Sequence, residues 1–293
     1  MISQPTLTLN NDVEMPLLGL GVYQSAKQEA VAAVRTALSD GYRLIDTAAG
    51  YFNEAEVGEG IRTSGVDAKD VFVTTKLWMS DYGYDEALHA FDRSLGKLRL
   101  DQLGLYLLHW PVPADFERTI ASYKAAERLL ADGRVRAIGV CNFSEADLER
   151  LIDNVAVVPA VNQIELHPYF NQHALRAVHQ RFGIVTQAWS PIGGINVYAS
   201  KGPNVLEDPT ITALAKRYGK TSAQIVLRWH VERGTSAVPK SVRAERIAEN
   251  ISIFDFALTA DDIASIDALD TDERSGPDPD TVNQQSFDLV IED

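Results

Sequence analysis

Short runs of β-forming residues alternate with longer amphipathic segments along almost the whole chain of 293 residues. This alternation is typical of parallel βαβ units, because two parallel strands need a long crossover connection, which is usually a helix. Eight strands are predicted, and they cover residues 17–21, 42–46, 71–76, 103–109, 135–141, 160–165, 184–188 and 236–239. Eight such units predict an α/β fold of the (β/α)8 TIM-barrel class, whose chemistry lies at the carboxyl ends of the strands.

The two ends of the chain carry different signals. An N-terminal β-hairpin is predicted from residues 7–9 and 13–15, joined by the turn-forming segment 10–12, and it would cover the bottom of the barrel. The C-terminal tail from residue 270 onward is rich in Asp, Pro, Gly and Gln, which predicts an irregular segment that acts as an active-site flap. No repeat or linker interrupts the chain, so a single domain over residues 1–293 is expected.

The first crossover segment shows the helical pattern in detail. Between residues 28 and 39, apolar residues recur at intervals of three and four, as on the buried face of an amphipathic helix. Ser25 is followed three residues later by Gln28, which is the spacing of a capping box. The sequence therefore predicts that this pair starts the helix.

The glycine pattern of the first unit also suggests a Rossmann sheet, which is the other α/β fold to consider. Gly19 and Gly21 begin like its glycine motif, but Gln24 stands where the third glycine belongs. The third glycine permits close packing of helix and strand, so its replacement argues against a Rossmann fold.

Charge and cysteine content exclude several functions. The net charge of -14 repels phosphate backbones and anionic lipids, and no window approaches the ~20 apolar residues of a membrane span, so binding to nucleic acid or membranes is not expected. The single cysteine, Cys141, excludes an intramolecular disulfide and agrees with a reducing compartment. Residues 1–11 do not resemble a signal peptide, so a cytoplasmic protein is expected. A monomer is expected as well.

Four polar residues follow one another at the ends of neighbouring predicted strands. Asp46 ends the second strand, Lys76 the third and His109 the fourth, while Tyr51 lies in the loop after the second. The carboxyl ends of the strands of a parallel barrel meet at one rim, so these side chains are expected to lie together.

The four residues form a plausible proton-transfer group. Tyrosine, with an ordinary pKa of about 10, is a poor proton donor at neutral pH, and an ammonium group such as that of Lys76 is expected to lower this pKa. Asp46 is expected to keep the half-buried Lys76 charged. His109, as a neutral imidazole, is expected to donate a hydrogen bond that orients a carbonyl oxygen. No metal is required.

Several longer motifs occur in a fixed order along the chain. They are GYRLIDTA at 41–48, NEAEVG at 53–58, TTKLW at 74–78, LLHWP at 107–111, VNQIELHP at 161–168 and PKS at 239–241. In these motifs and their order, the chain resembles the aldo-keto reductase family over nearly its whole length, above all small prokaryotic members such as the diketogluconate reductases. The resemblance implies the same catalytic residues and an NADPH-dependent reduction of aldehydes, ketones or dicarbonyls to alcohols.

The resemblance also implies the cofactor site. Asn142 and Gln163 match positions that bind the nicotinamide carboxamide, and Trp189 matches the ring that stacks on the nicotinamide face. The other positions implied are Gly21, Val22, Ser190, Leu206, Lys240, Ser241, Val242, Arg246, Glu249 and Asn250. Lys240 and Arg246 provide two cations for a 2′-phosphate, so a preference for NADPH over NADH is expected.

The substrate pocket is less well defined by the sequence. Trp78 and Trp110 closely follow Lys76 and His109, so their rings are expected to form apolar walls that Tyr23 completes. The tail shows no residue that is recognisable as part of the pocket.

Two rival functions stay open. One is a non-catalytic barrel that senses nicotinamide nucleotides, against which the intact group of four polar residues argues. The other is a metal-dependent barrel hydrolase that uses Glu165 and His167, although zinc needs three or four ligands and no further ligand accompanies this pair.

Overall fold

The computed structural model describes residues 4–194, 203–287 and 289–291. Residues 1–3, 292 and 293, which the predictions for the amino-terminal segment and the tail include, lie outside the described residues. The chain begins with an antiparallel hairpin of β1 (Thr6–Thr8) and β2 (Glu14–Pro16), in which Leu7 pairs with Met15. The predicted hairpin is therefore confirmed, with both strands displaced by one residue.

All eight predicted parallel strands are present in one sheet. They are β3 (Leu20–Gly21), β4 (Leu44–Asp46), β5 (Phe72–Leu77), β6 (Leu103–Leu108), β7 (Val135–Cys141), β8 (Val161–Glu165), β9 (Val185–Trp189) and β10 (Ser236–Ala237). Their order in the sheet is their order in the chain, and every neighbouring pair is parallel. Right-handed crossovers through helices are the usual way to build such a sheet.

The first and last strands are shorter than predicted, and they are also bonded to each other. Leu18 forms an isolated parallel bridge with Ala237, and Gly21 forms one with Lys240. The Gly19 N–H donates to the Ala237 carbonyl at 2.9 Å. A Cβ at Gly21 would lie 2.7 Å from the Val238 carbonyl oxygen, so glycine is required where these strands approach. The first and last strands are therefore joined by single bridges and not by a regular ladder.

Helices follow most of the strands in the described ranges. They are α1 (Lys27–Ser39), α2 (Glu54–Arg62), α3 (Tyr84–Leu98), α4 (Phe116–Ala131), α5 (Glu145–Ile152), α6 (His173–Phe182), α7 (Pro209–Tyr218), α8 (Ser222–Glu232), α9 (Ala244–Ile251) and α10 (Ala260–Asp267). Within the same ranges, no helix is long and apolar enough to cross a membrane.

The start of α1 differs from the prediction. Ala26 is the N-cap residue, and its backbone N–H donates to the Glu29 carboxylate at 3.3 Å. The Ser25 N–H is bonded to the Val22 carbonyl at 3.1 Å, in a turn where Gln24 has a φ of +53°. The predicted capping box of Ser25 and Gln28 is therefore wrong. Ser25 belongs to this turn, and the helix starts one residue later, at the N-cap Ala26.

The strands place polar residues inside a buried sheet. Every residue of β5 and β6 is buried, including Lys76 at the carboxyl end of β5.

After α10, the described residues up to 287 and 289–291 contain no helix or strand, as predicted for the tail. This tail returns to the carboxyl ends of the strands, where Thr271 donates a backbone hydrogen bond to the Tyr169 carbonyl at 3.0 Å.

Candidate active site

Lys76 is the centre of a buried polar network. Its side chain is fully buried, and its ammonium group donates to Asp46 Oδ1 at 2.7 Å and to the Thr47 carbonyl at 3.0 Å. A third bond of 3.3 Å joins Lys76 Nζ to the hydroxyl of Tyr51. The three donors of the ammonium group are therefore matched to three acceptors from β4 and the loop that follows it.

The second oxygen of Asp46 also has a partner. Gln163, in β8, donates from Nε2 to Asp46 Oδ2 at 2.8 Å and to Gln187 Oε1 at 2.7 Å. The buried carboxylate thus accepts from donors on both of its oxygens, which compensates part of the cost of removing it from water.

Tyr51 ends a short 3-10 helix, Ala49–Tyr51, and Phe52 closes this turn with a φ of +54°. Burial raises the pKa of Tyr51 well above 10, and the negative charge of Asp46 raises it further. The predicted lowering by Lys76 is therefore wrong for this state of the protein. Asp46 neutralises the ammonium charge at 2.7 Å, and the low-dielectric surroundings disfavour a phenolate. The phenol consequently keeps its proton at neutral pH.

His109 follows β6 and is buried next to the tyrosine. The ring centroids of His109 and Tyr51 are 5.7 Å apart, and those of His109 and Trp78 are 5.0 Å apart. Burial lowers the pKa of His109 well below 6.5, and the nearby Lys76 charge acts in the same direction. The imidazole is therefore neutral, as predicted, and its Nδ1 has no hydrogen-bond partner among the described residues.

A cavity of about 620 Å³ opens above these residues. Asp46, Tyr51 and His109 form part of its wall, and the predicted pocket residues Tyr23, Trp78 and Trp110 form another part. Tyr23 lies 5.0 Å from Tyr51 between ring centroids. The wall thus combines a few directed polar groups with large aromatic surfaces, as is usual for a site that binds a small molecule.

Some of the predicted cofactor residues also lie in the cavity wall. They are Gly21, Asn142, Gln163, Trp189, Ser190 and Lys240. Within the described ranges, the others do not line it; they are Val22, Leu206, Ser241, Val242, Arg246, Glu249 and Asn250. Val22 is fully buried, whereas Arg246 and Lys240 are exposed.

Besides Gln24 and Phe52, two further residues that line the cavity have a positive φ. Asn142 has a φ of +67° and Ser190 a φ of +47°, both in the left-handed region that disfavours side chains other than glycine. Each directly follows a strand, β7 or β9. Asn142 donates to the His109 carbonyl at 3.0 Å and accepts from Trp189 Nε1 at 2.8 Å, so its amide joins three strand ends of the wall.

The tail supplies pocket residues that sequence reasoning missed. Pro277, Phe287 and Leu289 line the cavity, as an active-site flap would, although none of them was recognisable in the sequence as a pocket residue. The Phe287 ring packs 5.5 Å from that of Trp78, and Trp78 Nε1 donates to the Leu289 carbonyl at 3.2 Å. The sequence did contain one signal for them: Phe287 and Leu289 are apolar residues in an otherwise polar tail. Large apolar side chains in an ordered segment usually pack against another surface of the protein.

Glu165 and His167 do not form a metal site with other residues in the described part of the chain. Glu165 Oε1 lies 3.1 Å from His167 Nε2, and the carboxylate accepts backbone hydrogen bonds from the tail.

Cys141 lies in the cavity wall but is almost fully buried, and burial raises the pKa of its thiol well above the usual value. A thiol in this state is not reactive.

This end of the sheet therefore combines a protonated phenol, a buried ammonium–carboxylate pair and a neutral imidazole. Residues 17–271 match the Aldo/keto reductase family, and the chain belongs to this family. The family resemblance found in the sequence is thereby confirmed.

Individual relatives agree with this assignment. The chain is 56% identical to morphine 6-dehydrogenase of Pseudomonas putida, over 97% of each chain, and 44% identical to glyoxal reductase of Bacillus subtilis, over 94% of this chain and 96% of that one. A solved aldo/keto reductase from Brucella melitensis is 48% identical, covers 92% of this chain and 100% of its own, and has a TM-score of 0.86. The Bombyx mori aldo-keto reductase in complex with NADP is 36% identical, covers 96% and 97%, and has a TM-score of 0.88.

Proposed function

We propose that the protein reduces small aldehydes, ketones or dicarbonyls to alcohols with NADPH, and that Asp46, Tyr51, Lys76 and His109 carry the proton chemistry. The observation on which this depends is the bond of 3.3 Å between Lys76 and Tyr51, at the wall of a cavity large enough for a small molecule. Relatives named glyoxal reductase and methylglyoxal reductase, the latter from Escherichia coli, support a dicarbonyl among the substrates.

The scaffold that we propose is a single (β/α)8 barrel over residues 1–293. Its support is the bonding of the first strand to the last, through the bridges of Leu18 with Ala237 and of Gly21 with Lys240. Closure of the sheet would leave no exposed edge and would hold the strand ends in one ring.

The hydrogen-bond donors and positive charges at this end of the sheet fit nicotinamide adenine dinucleotide phosphate. Helix α9 begins after Arg243, whose side chain does not cap it, so the first N–H groups of the helix are available for a phosphate. Lys240 and Arg246 add exposed positive charge to an acidic protein. Trp189 offers an aromatic face in the cavity wall. The remaining implied positions are Val22, Leu206, Ser241, Val242, Glu249 and Asn250.

When bound, NADPH supplies the hydride for the carbonyl carbon. Tyr51 then gives its proton to the carbonyl oxygen, and this step requires the protonated phenol that burial maintains. Lys76 stabilises the phenolate that remains, and Asp46 holds the ammonium group in position. The neutral His109 orients the carbonyl oxygen by a hydrogen bond.

The test is a panel of aldehydes, ketones and dicarbonyls, assayed by the loss of NADPH absorbance with and without a chelator. We expect turnover that the chelator does not change. Binding of NADPH without turnover of any carbonyl would favour the nucleotide-sensing alternative. No binding or oxidation of NADPH, together with a hydrolytic activity that the chelator abolishes, would favour the metal-dependent hydrolase.

We also propose that the protein acts as a cytoplasmic monomer. The single buried Cys141 suits a reducing compartment, and the net charge of -14 disfavours self-association. Light scattering after size exclusion should give the mass of one chain, 32.2 kDa, and a mass twice as large would refute the monomer.

A further inference from the structure

Glu165 is a buried carboxylate outside the group of four polar residues. It ends β8, and its side chain is fully buried. Oε1 accepts the backbone N–H of Ser275 at 2.7 Å and that of Gly276 at 3.2 Å, and Oε2 accepts the Gly276 N–H at 3.0 Å. His167 Nε2 lies 3.1 Å from Oε1, and Arg274 Nη1 lies 3.8 Å from Oε2. The carboxylate therefore binds the tail through two consecutive backbone amides.

The tail segment held by Glu165 lies against the ring of Trp189. A Cβ at Gly276 would meet Trp189 Cη2 at 2.5 Å and Cζ3 at 3.1 Å, so no side chain fits between the tail and the ring. The next residue, Pro277, lines the cavity. Trp189 and Glu165 are direct neighbours in the sheet, paired between β8 and β9. The carboxylate thus places the tail on one edge of the indole.

The opposite edge of the indole is fixed by a different bond. Trp189 Nε1 donates to Asn142 Oδ1 at 2.8 Å. The ring is therefore held between an amide on one side and the tail on the other. A ring fixed in this way presents a preorganised face, and preorganisation increases affinity because less freedom is lost on binding.

We propose that Glu165 is a positioning residue: by binding the amides of Ser275 and Gly276, it fixes the tail on Trp189 and thereby increases the affinity of the cavity for the nicotinamide of NADPH. This inference rests on the proposed function. The carboxylate suits the role because hydrogen bonds to a charged acceptor are about twice as strong as neutral ones, and because its two oxygens can accept all of these N–H groups together. The described part of the tail contains no strand, so no β-ladder holds its backbone and such an anchor is needed.

The test compares two variants with a matched control. Glu165→Gln keeps the shape of the side chain but replaces one acceptor oxygen by an NH₂ donor that faces N–H groups. Gly276→Ala keeps both carboxylate oxygens and places a methyl group against Trp189 and 3.1 Å from Glu165 Oε2, so it disturbs the contact of the tail with the ring and with the anchor. Ser275→Ala is the control, because it keeps the backbone N–H and removes only a hydroxyl that lies 3.5 Å from His167 Nε2.

Two measurements separate positioning from general stability. In the cofactor-free protein, Glu165→Gln should lose hydrogen-exchange protection in peptides that span residues 273–279, whereas Ser275→Ala should not. In binding and kinetic assays, both test variants should raise the Kd and KM for NADPH about tenfold, while kcat at saturating NADPH stays within about twofold of wild type. If Glu165→Gln does not fold, the NADPH affinity of Gly276→Ala still tests whether the position of the tail on Trp189 affects cofactor binding.

Each contrary outcome is distinct. Unchanged exchange in Glu165→Gln would overturn the anchoring of the tail. Changed exchange with an unchanged Kd for NADPH in both variants would overturn the role in cofactor binding. A wild-type protein that neither binds nor oxidises NADPH would instead refute the proposed function, and the exchange result would still decide whether Glu165 anchors the tail.

Discussion

The pair formed by Lys76 and Asp46 allows a quantitative prediction for Lys76→Met. Both side chains are almost completely buried, 0% and 4% exposed, and their charged atoms are 2.7 Å apart. Removal of one partner leaves an uncompensated buried charge, which typically costs about 3–5 kcal/mol. Gln163 still donates to Asp46 Oδ2, so we expect a loss near the lower end of this range. We further expect most of the reductase activity to disappear.

The double variant Asp46→Asn, Lys76→Met distinguishes charge from packing. It carries no unpaired charge, so it should recover about half of the stability that Lys76→Met loses, while activity stays low in both. The assay is urea unfolding followed by fluorescence and circular dichroism, with NADPH oxidation measured on the same samples. A Lys76→Met protein within about 1 kcal/mol of wild type, or a double variant less stable than Lys76→Met, would refute the reasoning.

Three further predictions concern other parts of the protein. Arg246→Ala should weaken NADPH about tenfold or more and NADH little, measured by fluorescence quenching; equal losses would contradict a 2′-phosphate contact. Burial lowers the pKa of His230 to about 3, so stability should fall as pH drops below about 6.5, and His230→Gln should reduce this slope by up to about 1.4 kcal/mol per pH unit in urea titrations. Phe287→Ala should raise KM for apolar carbonyls about tenfold without changing the NADPH Kd; an unchanged KM would exclude the ring from the pocket.

The strands and the polar residues at their ends were predictable because they depend on local patterns. A buried parallel strand is a short apolar run, and a polar residue that directly follows it must lie at the carboxyl edge of the sheet. Asp46, Lys76 and His109 lie at neighbouring strand ends, as expected on this basis, and the charged atoms of Asp46 and Lys76 are 2.7 Å apart. Nothing beyond strand order was needed for this part of the site.

Other features depend on distant contacts, which the local pattern does not contain. The tail reaches the cavity through Phe287 and Leu289, whose partners lie about two hundred residues earlier in the chain. The direction of the Tyr51 pKa shift was predicted wrongly, because the effect of burial exceeds that of a lysine already neutralised by Asp46. The anchoring role that we propose for Glu165 likewise requires knowing where the tail returns.

The central claim is that Tyr51 gives the proton to the carbonyl oxygen, and Tyr51→Phe tests it most directly. This variant removes only the hydroxyl that bonds to Lys76 Nζ at 3.3 Å and keeps the ring between Tyr23 and His109. The measurement is the single-turnover rate of NADPH oxidation with a saturating carbonyl, together with the Kd for NADPH by fluorescence quenching. We expect a rate at least ~10²-fold below wild type with the Kd unchanged. A rate near that of wild type, with NADPH bound equally well, would contradict it.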